Sequence, residues 1–173
     1  MKTFSDHWGV AHQFIQVNTG EGELLYETAK LLPAKSLIVE IGTRIGGTAY
    51  LLGKSNRKTN TIDDYSYVDS NYEQSMANLK SLKNVHLLQG TSESFAKKWK
   101  EPIDLLFIDG DHRYEGAKLD IDLWLPFVKQ GGYAVFHDYD SHVGITKVLT
   151  EVLTRGLLEK VKQEQSMLVC QKP

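Results

Sequence analysis

Cysteine is almost missing from this chain. Cys170 is the one thiol in 173 residues, which excludes an intramolecular disulfide and a zinc site built from several cysteines. Basic charge does not accumulate either. Lys and Arg number 20 against 22 Asp and Glu, for a formal net charge of −2, and no dense basic run marks a nucleic-acid surface. Long apolar runs are absent as well. The first 20 residues, among them His7, Trp8, His12 and Gln13, contain nothing resembling a signal peptide or a membrane span. The expectation is a soluble cytoplasmic protein with neither membrane nor nucleic acid as a partner. There are no repeats and no low-complexity linkers, and the length suits a single domain over 1–173.

What is present is organised around Leu37-Ile-Val-Glu-Ile-Gly-Thr-Arg-Ile-Gly-Gly-Thr48. Leu37, Ile38, Val39 and Ile41 are apolar and mostly β-branched, the pattern of a strand buried on both faces of a parallel sheet. Glycines then interrupt the run at Gly42, Gly46 and Gly47, and a second apolar run, Ala49–Leu52, starts a helix. Glycines at such a turn let backbone approach a ligand closely, and the new helix offers free N–H groups at its start. An acid about 20 residues past the first glycine suits a ribose in a nucleotide-binding unit. Asp63 stands 21 residues past Gly42 (63 − 42 = 21).

Along the rest of the chain, Ser5 to Val17 predicts a short helix that either packs on the domain edge or carries His7 or His12 over the pocket as a lid. The core then occupies 20–173. A helix after Thr19-Gly-Glu-Gly22 closes at Pro33. Tyr72, Met76, Leu79 and Leu82 share the spacing of one helix face. Asn84–Gln89 reads as a third strand, followed by a helix start capped by Thr91 or Ser92. Ile103–Ile108 is a fourth strand. The helix after it has Ala117, Ile121, Trp124, Leu125 and Val128 on one face, Asp120 elsewhere, and a stop at Gly131-Gly132. A fifth strand, Tyr133–Phe136, precedes a helix over Ile145–Leu153. Two closing strands are joined by so short a link that they form a hairpin. The sum is an α/β fold: a doubly wound, mainly parallel, seven-stranded sheet of Rossmann-like kind with one antiparallel strand near the C-terminus.

Ligands gather at the carboxyl ends of the strands in such sheets. Glu40, Asp63, Asp109, Asp111, His112, His137 and Asp138 all fall there, and the opposite strand ends carry no such cluster. Plainer roles compete for several of them. Asp111 suits a helix N-cap, His137 a hydrogen-bonded core position, and Asp140 and His142 a solvated loop. His86 is structural, and Tyr65 and Tyr67 either meet substrate or cover the sheet edge.

The set Glu40-Ile-Gly-Thr-Arg-Ile-Gly-Gly47, Asp63, Asp109-Gly-Asp-His112 and His137-Asp138 resembles the class I S-adenosylmethionine-dependent methyltransferases, from Gly20 onward. Within that class it looks like the O-methyltransferases that act on macrolide sugars and, more distantly, the metal-dependent catechol type. The resemblance implies O-methylation of a small polar acceptor. It places Glu40, Gly42, Thr43, Gly46, Gly47, Asp63, Thr91, Ser92 and Asp109 around S-adenosylmethionine, with Asp63 on the ribose hydroxyls and Thr91 and Ser92 near the adenine. Asp109, His137 and Asp138 would occupy metal positions, for Mg²⁺ or Mn²⁺, and His112 the general-base position. Two departures stand out. Arg44 replaces a common glycine, and His137 brings an imidazole to an otherwise oxygen-rich site, which favours Mn²⁺, Fe²⁺ or Zn²⁺ over Mg²⁺. The alternative is a metal-dependent hydrolase using Asp109, Asp111, His112, His137 and Asp138, which leaves the glycine turn and Asp63 without a task. A nicotinamide-dependent oxidoreductase shares the turn but needs G-x-G-x-x-G, and the order here is G-x-x-x-G-G. A non-catalytic nucleotide-binding module would not need so many ionisable groups. The acceptor pocket would come from the N-terminal helix, the Tyr65–Asn71 loop, the loop after His137, or the second subunit of a homo-oligomer.

Overall fold

The computed structural model describes residues 3–173. Seven strands form one sheet, in chain order β1 (Leu37–Ile41), β2 (Lys58–Asp63), β3 (Val85–Gln89), β4 (Ile103–Ile108), β5 (Val128–Phe136), β6 (Glu159–Glu164) and β7 (Met167–Gln171). Their spatial order is β3-β2-β1-β4-β5-β7-β6. β1 to β5 pair in parallel, and β7 is antiparallel to both β5 and β6, so one strand is reversed. The chain steps outward from β1 to β3 and then returns to β4 on β1's other side. A cleft opens at such a switch point, where neighbouring connections leave on opposite faces.

Strand alternation divides the core into two layers. Val39, Ile41, Leu106, Ile108, Ala134 and Phe136 face α5 (Ser92–Ala96), α6 (Tyr114–Trp124) and α7 (Val143–Thr154). Ile38, Leu105, Phe107 and Val135 face α2 (Thr19–Leu31) and Leu52 of α3 (Gly47–Lys54). Both faces of β1 are therefore buried, as its apolar residues on either side of Glu40 require.

Local details depart from the sequence reading. The first helix, α1 (Phe4–Ala11), ends before Val17. It packs through Phe4, His7 and Ala11, and Phe14 turns inward to meet Tyr50 edge-on at 5.6 Å. Asn18 caps α2, accepting from the Glu21 N–H at 3.0 Å. In α4 (Tyr72–Leu79) the buried pair is Ser75 and Leu79, and Met76 faces solvent. Ser75 takes the inner place because its hydroxyl donates to the carbonyls of Arg44 and Asn71. Helix α6 stops at Trp124, well short of Gly131-Gly132, because Pro126 has no N–H to continue it and a 3-10 turn follows. The two glycines lie inside β5 instead, within a bulge that shifts its register against β4 between Ile103 and Leu105. None of the described helices is long and apolar enough to cross a membrane.

Candidate active site

At the carboxyl ends of β1, β2, β3 and β4 lies a cleft of about 960 Å³. Gly42, Thr43, Arg44 and Gly47 form its floor, Asp63 one wall, and Thr91, Ser92, Asp109 and His112 the other. Phe14 to Val17, the segment after α1, close one side. Two glycines make this possible. Gly42 has φ of 98°, and a Cβ there would lie 2.1 Å from the Asp109 carbonyl oxygen, so β1 and β4 can approach only at glycine. A Cβ on Gly47 would meet the Ile15 Cα at 2.6 Å, so that glycine admits the N-terminal segment. His7, buried against Tyr26, and His12 at the end of α1 do not line the cleft.

The turn is held from below. Glu40 is fully buried and is not a cleft residue. Its carboxylate lies beneath the turn, where it accepts from the Thr48 hydroxyl at 2.5 Å and from the Thr61 hydroxyl. Thr61 and Thr43 lie 2.5 Å apart, Oγ1 to Oγ1. Burial pushes the Glu40 carboxyl up to about 8 against the opposing effect of those hydroxyls. Gly46 caps α3 and also lies outside the cleft lining. Asp63 lies in the cleft. Its Oδ2 accepts from the Arg44 N–H at 2.7 Å and its Oδ1 from the Tyr65 N–H at 2.6 Å. A carboxylate oxygen has further acceptor capacity beyond one such bond. Arg44 has φ of 54° and its guanidinium pairs with Asp69 at 3.4 Å, so this position does have the backbone of a glycine. Tyr65 turns inward onto Tyr72, whereas Tyr67 is exposed at the cleft rim.

At the opposite end, Thr91 caps α5, accepting from the Ser94 N–H at 3.2 Å. Ser92 donates to Asp120 Oδ1 at 2.5 Å and accepts from the Trp124 indole N–H at 2.7 Å. Asp120, expected away from the packed face of α6, is buried and lines the cleft. Burial pushes it up to about 6. Its spacing was informative: it lies three residues after Ala117 and four before Trp124, on the buried stripe itself.

The ends of β4 and β5 bring the ionisable cluster together. Asp109, His137 and Asp138 each turn a ligand-type atom into one small volume, all within 4.8 Å of one another. His137 Nδ1 lies 3.2 Å from Asp109 Oδ1 and 3.4 Å from Asp138 Oδ2. Burial disfavours the charged ring, but the Asp109 and Asp138 carboxylates overcome this and push it up to about 11. Burial would also raise Asp109 and Asp138, yet His112 and His137 beside them hold both below the usual carboxylate range. His112 Nε2 lies 2.9 Å from Asp138 Oδ2 and 3.7 Å from Asp109 Oδ1. The two carboxylates, Asp109 foremost, push it up to about 9.

Three placements revise the sequence reading here. Asp111 caps no helix: Arg113 holds that position in α6. Asp111 accepts from the Arg113 backbone N–H at 2.9 Å and pairs with its guanidinium. His142 is not a detached loop residue, because it stacks on His112 at 4.6 Å and lines the cleft. Together with His112 and Asp138 it forms a second group of ligand-type atoms within 4.8 Å. Glu21, which drew no notice in the sequence, reaches His137 from α2 with its Oε2 3.3 Å from Nε2.

Residues 39–139 match the family model Methyltransf_24, described as a methyltransferase domain. The chain belongs to this methyltransferase family. The methyltransferase is also 29% identical to the uncharacterized protein R132 of Acanthamoeba polyphaga mimivirus over 127 residues, which are 66% of this chain and 56% of that protein. The methyltransferase thus spans little more than half the length of that relative. Among solved structures it is similar to the SAH-bound methyltransferase PaMTH1 of Podospora anserina, with a TM-score of 0.76, 14% identity, and coverage of 98% of this chain and 87% of that one. It is likewise similar to the O-methyltransferase from Bacillus cereus in complex with SAH, with a TM-score of 0.72, 14% identity and coverage of 99% and 92%. At such identities the likeness shows the fold, which is the seven-stranded, mainly parallel sheet described above.

Proposed function

We propose that this methyltransferase moves the methyl group of S-adenosylmethionine to a hydroxyl of a small polar molecule. The observation that carries this reading is one cleft joining the glycine turn and Asp63 to an imidazole at the opposite wall, His112. The solved relatives named above hold SAH, the product form of that cofactor. Asp63 would accept the ribose hydroxyls with the lone pairs left free by Arg44 and Tyr65. Gly42, Thr43 and Gly47 would let backbone approach the methionine portion, and Thr91, Ser92 and Asp120 would border the adenine. Glu40 and Gly46 would support the turn from behind.

The chemistry is an in-line displacement: the acceptor oxygen bonds to the methyl carbon as the carbon–sulfur bond breaks, and sulfur keeps the electron pair. The chain supplies alignment and removes the hydroxyl proton. His112 would take that proton on its imidazole ring, a contribution of about 10²–10⁴ in rate. Asp109, His137 and Asp138 fit a divalent cation by donor chemistry, with two carboxylates and one imidazole converging. The imidazole favours Mn²⁺, Fe²⁺ or Zn²⁺ over Mg²⁺. When bound, such an ion orients a hydroxyl and lowers its pKa. The Asp109 and Asp138 carboxylates keep His112 protonated near neutrality, and if they were engaged as ligands that hold on the ring would weaken.

Calorimetric titration with S-adenosylhomocysteine tests the cofactor, with micromolar affinity, about −8 kcal/mol, as the expected result. His112→Ala should keep that affinity and lower turnover about 100-fold or more, followed as nucleoside product formed across a panel of hydroxylated acceptors. Failure of the nucleoside to bind overturns the reading. Unchanged turnover in the variant removes His112 from the mechanism.

A further inference from the structure

The fourth partner of the acidic cluster comes from a distant part of the chain. Glu21 sits in the first turn of α2 and is 2% exposed. Its Oε1 accepts from the Ser166 backbone N–H at 2.9 Å and the Ser166 hydroxyl at 2.6 Å, in the turn between β6 and β7. Its Oε2 accepts from the Asn18 N–H at 3.1 Å and lies 3.3 Å from His137 Nε2. Among the described residues, no lysine or arginine pairs with it, and His137 is its ion-pair partner. A carboxylate held from three directions cannot swing away from the ring. Because the second ring nitrogen faces Asp109 and Asp138, rotating the imidazole would cost the contacts on both edges. Metal-bound histidines characteristically give their other N–H to a carboxylate or carbonyl, which sets which nitrogen is free to ligate.

We propose that Glu21 is a positioning residue that holds His137 through Nε2 so that Nδ1 stays turned toward Asp109 and Asp138. Its consequence for metal affinity rests on the metal reading of those three residues given above. Glu21 does not line the cleft. It acts through His137, and it ties α2 and the β6–β7 turn to the catalytic end of the sheet.

The test uses the full chain, stripped of metal and titrated calorimetrically with Mn²⁺, beside ¹⁵N spectra of the imidazole nitrogens. Glu21→Gln should weaken Mn²⁺ binding about 10- to 100-fold and remove the protected His137 Nε2–H signal. Ser166→Ala, which takes one donor from Glu21 and leaves His137 untouched, should lower stability while Mn²⁺ affinity stays within twofold. Should Glu21→Gln not fold, Glu21→Asp, which withdraws the charge by one methylene, carries the same expectations. Wild-type affinity and an unchanged His137 spectrum in the Glu21 variant overturn the proposal. Equal losses in the Ser166 variant overturn it too, since the effect would then be one of packing. If wild-type protein binds no Mn²⁺, the metal reading fails, and the imidazole spectra decide the positioning role by themselves.

Discussion

Glu40 shows how one buried carboxyl is coupled to pH. Its ordinary value is 4.5 and its folded value about 8, so the folded state holds a proton that the unfolded chain gives up. Its contribution is fully present below about 4.5, and stability falls as pH rises from there to about 8. Urea unfolding at pH 5 and pH 8 should therefore show a larger drop for the wild type than for Glu40→Gln, which has no charge to bury. Equal drops would mean that Glu40 is solvated or paired in the folded chain. His112 carries a second pH signature. An imidazole at about 9 is protonated at pH 7, and with both ring nitrogens carrying hydrogen it has no lone pair to take a proton. Turnover without added metal should rise with pH toward 9, and Mn²⁺ should move that limb to lower pH by occupying Asp109 and Asp138. A pH profile indifferent to Mn²⁺ would separate the base from the metal cluster.

Among the elements, the turn between β1 and α3 is the least tolerant of change. Gly42→Ala forces a Cβ toward a backbone carbonyl 2.1 Å away, at a φ of 98°. Backbone on β4 cannot yield as a side chain would, so the expected loss is at least about 2 kcal/mol, read from the urea midpoint. Gly47→Ala meets a different neighbour, the Ile15 Cα at 2.6 Å. The segment from Phe14 to Val17 belongs to no regular element and can shift outward. The expected outcome is a smaller stability loss with weakened S-adenosylhomocysteine binding, measured by the same calorimetry. These two substitutions distinguish a glycine that lets strands meet from one that admits a wall of the cleft. Element identity was legible from periodicity: β1, β4 and α7 fall where their apolar patterns place them. The ends were less so. Pro126 overrode the glycine pair as the stop of α6, and a bulge in β5 absorbed those glycines, because only the pairing with β4 decides where a register slips.

At the scale of the whole molecule, β7 is the one strand that runs against its neighbours, and it seats Cys170 at zero exposure opposite Ala134 of β5. Burial pushes that thiol up to about 12, so it is neither ionised nor reachable. Labelling with a disulfide reagent at pH 8 should proceed at the rate of global unfolding and become immediate in denaturant. Rapid labelling of the native chain would show that the terminal hairpin opens by itself. The sheet order built on that hairpin also separates what could be read from the chain and what could not. Strand and helix types, the glycine turn and the acids at the strand ends depend on local periodicity and local backbone chemistry, and the amino-acid order by itself determined them. The partnership of Glu21 with His137 joins residues 116 apart, and the stacking of His112 on His142 joins two separate loops. The withdrawal of Glu40 beneath the turn depends on hydroxyls from α3 and β2. Tertiary structure alone decided these, because strand order and layer packing fix which distant side chains share a small volume, and no local pattern in the chain records that distance.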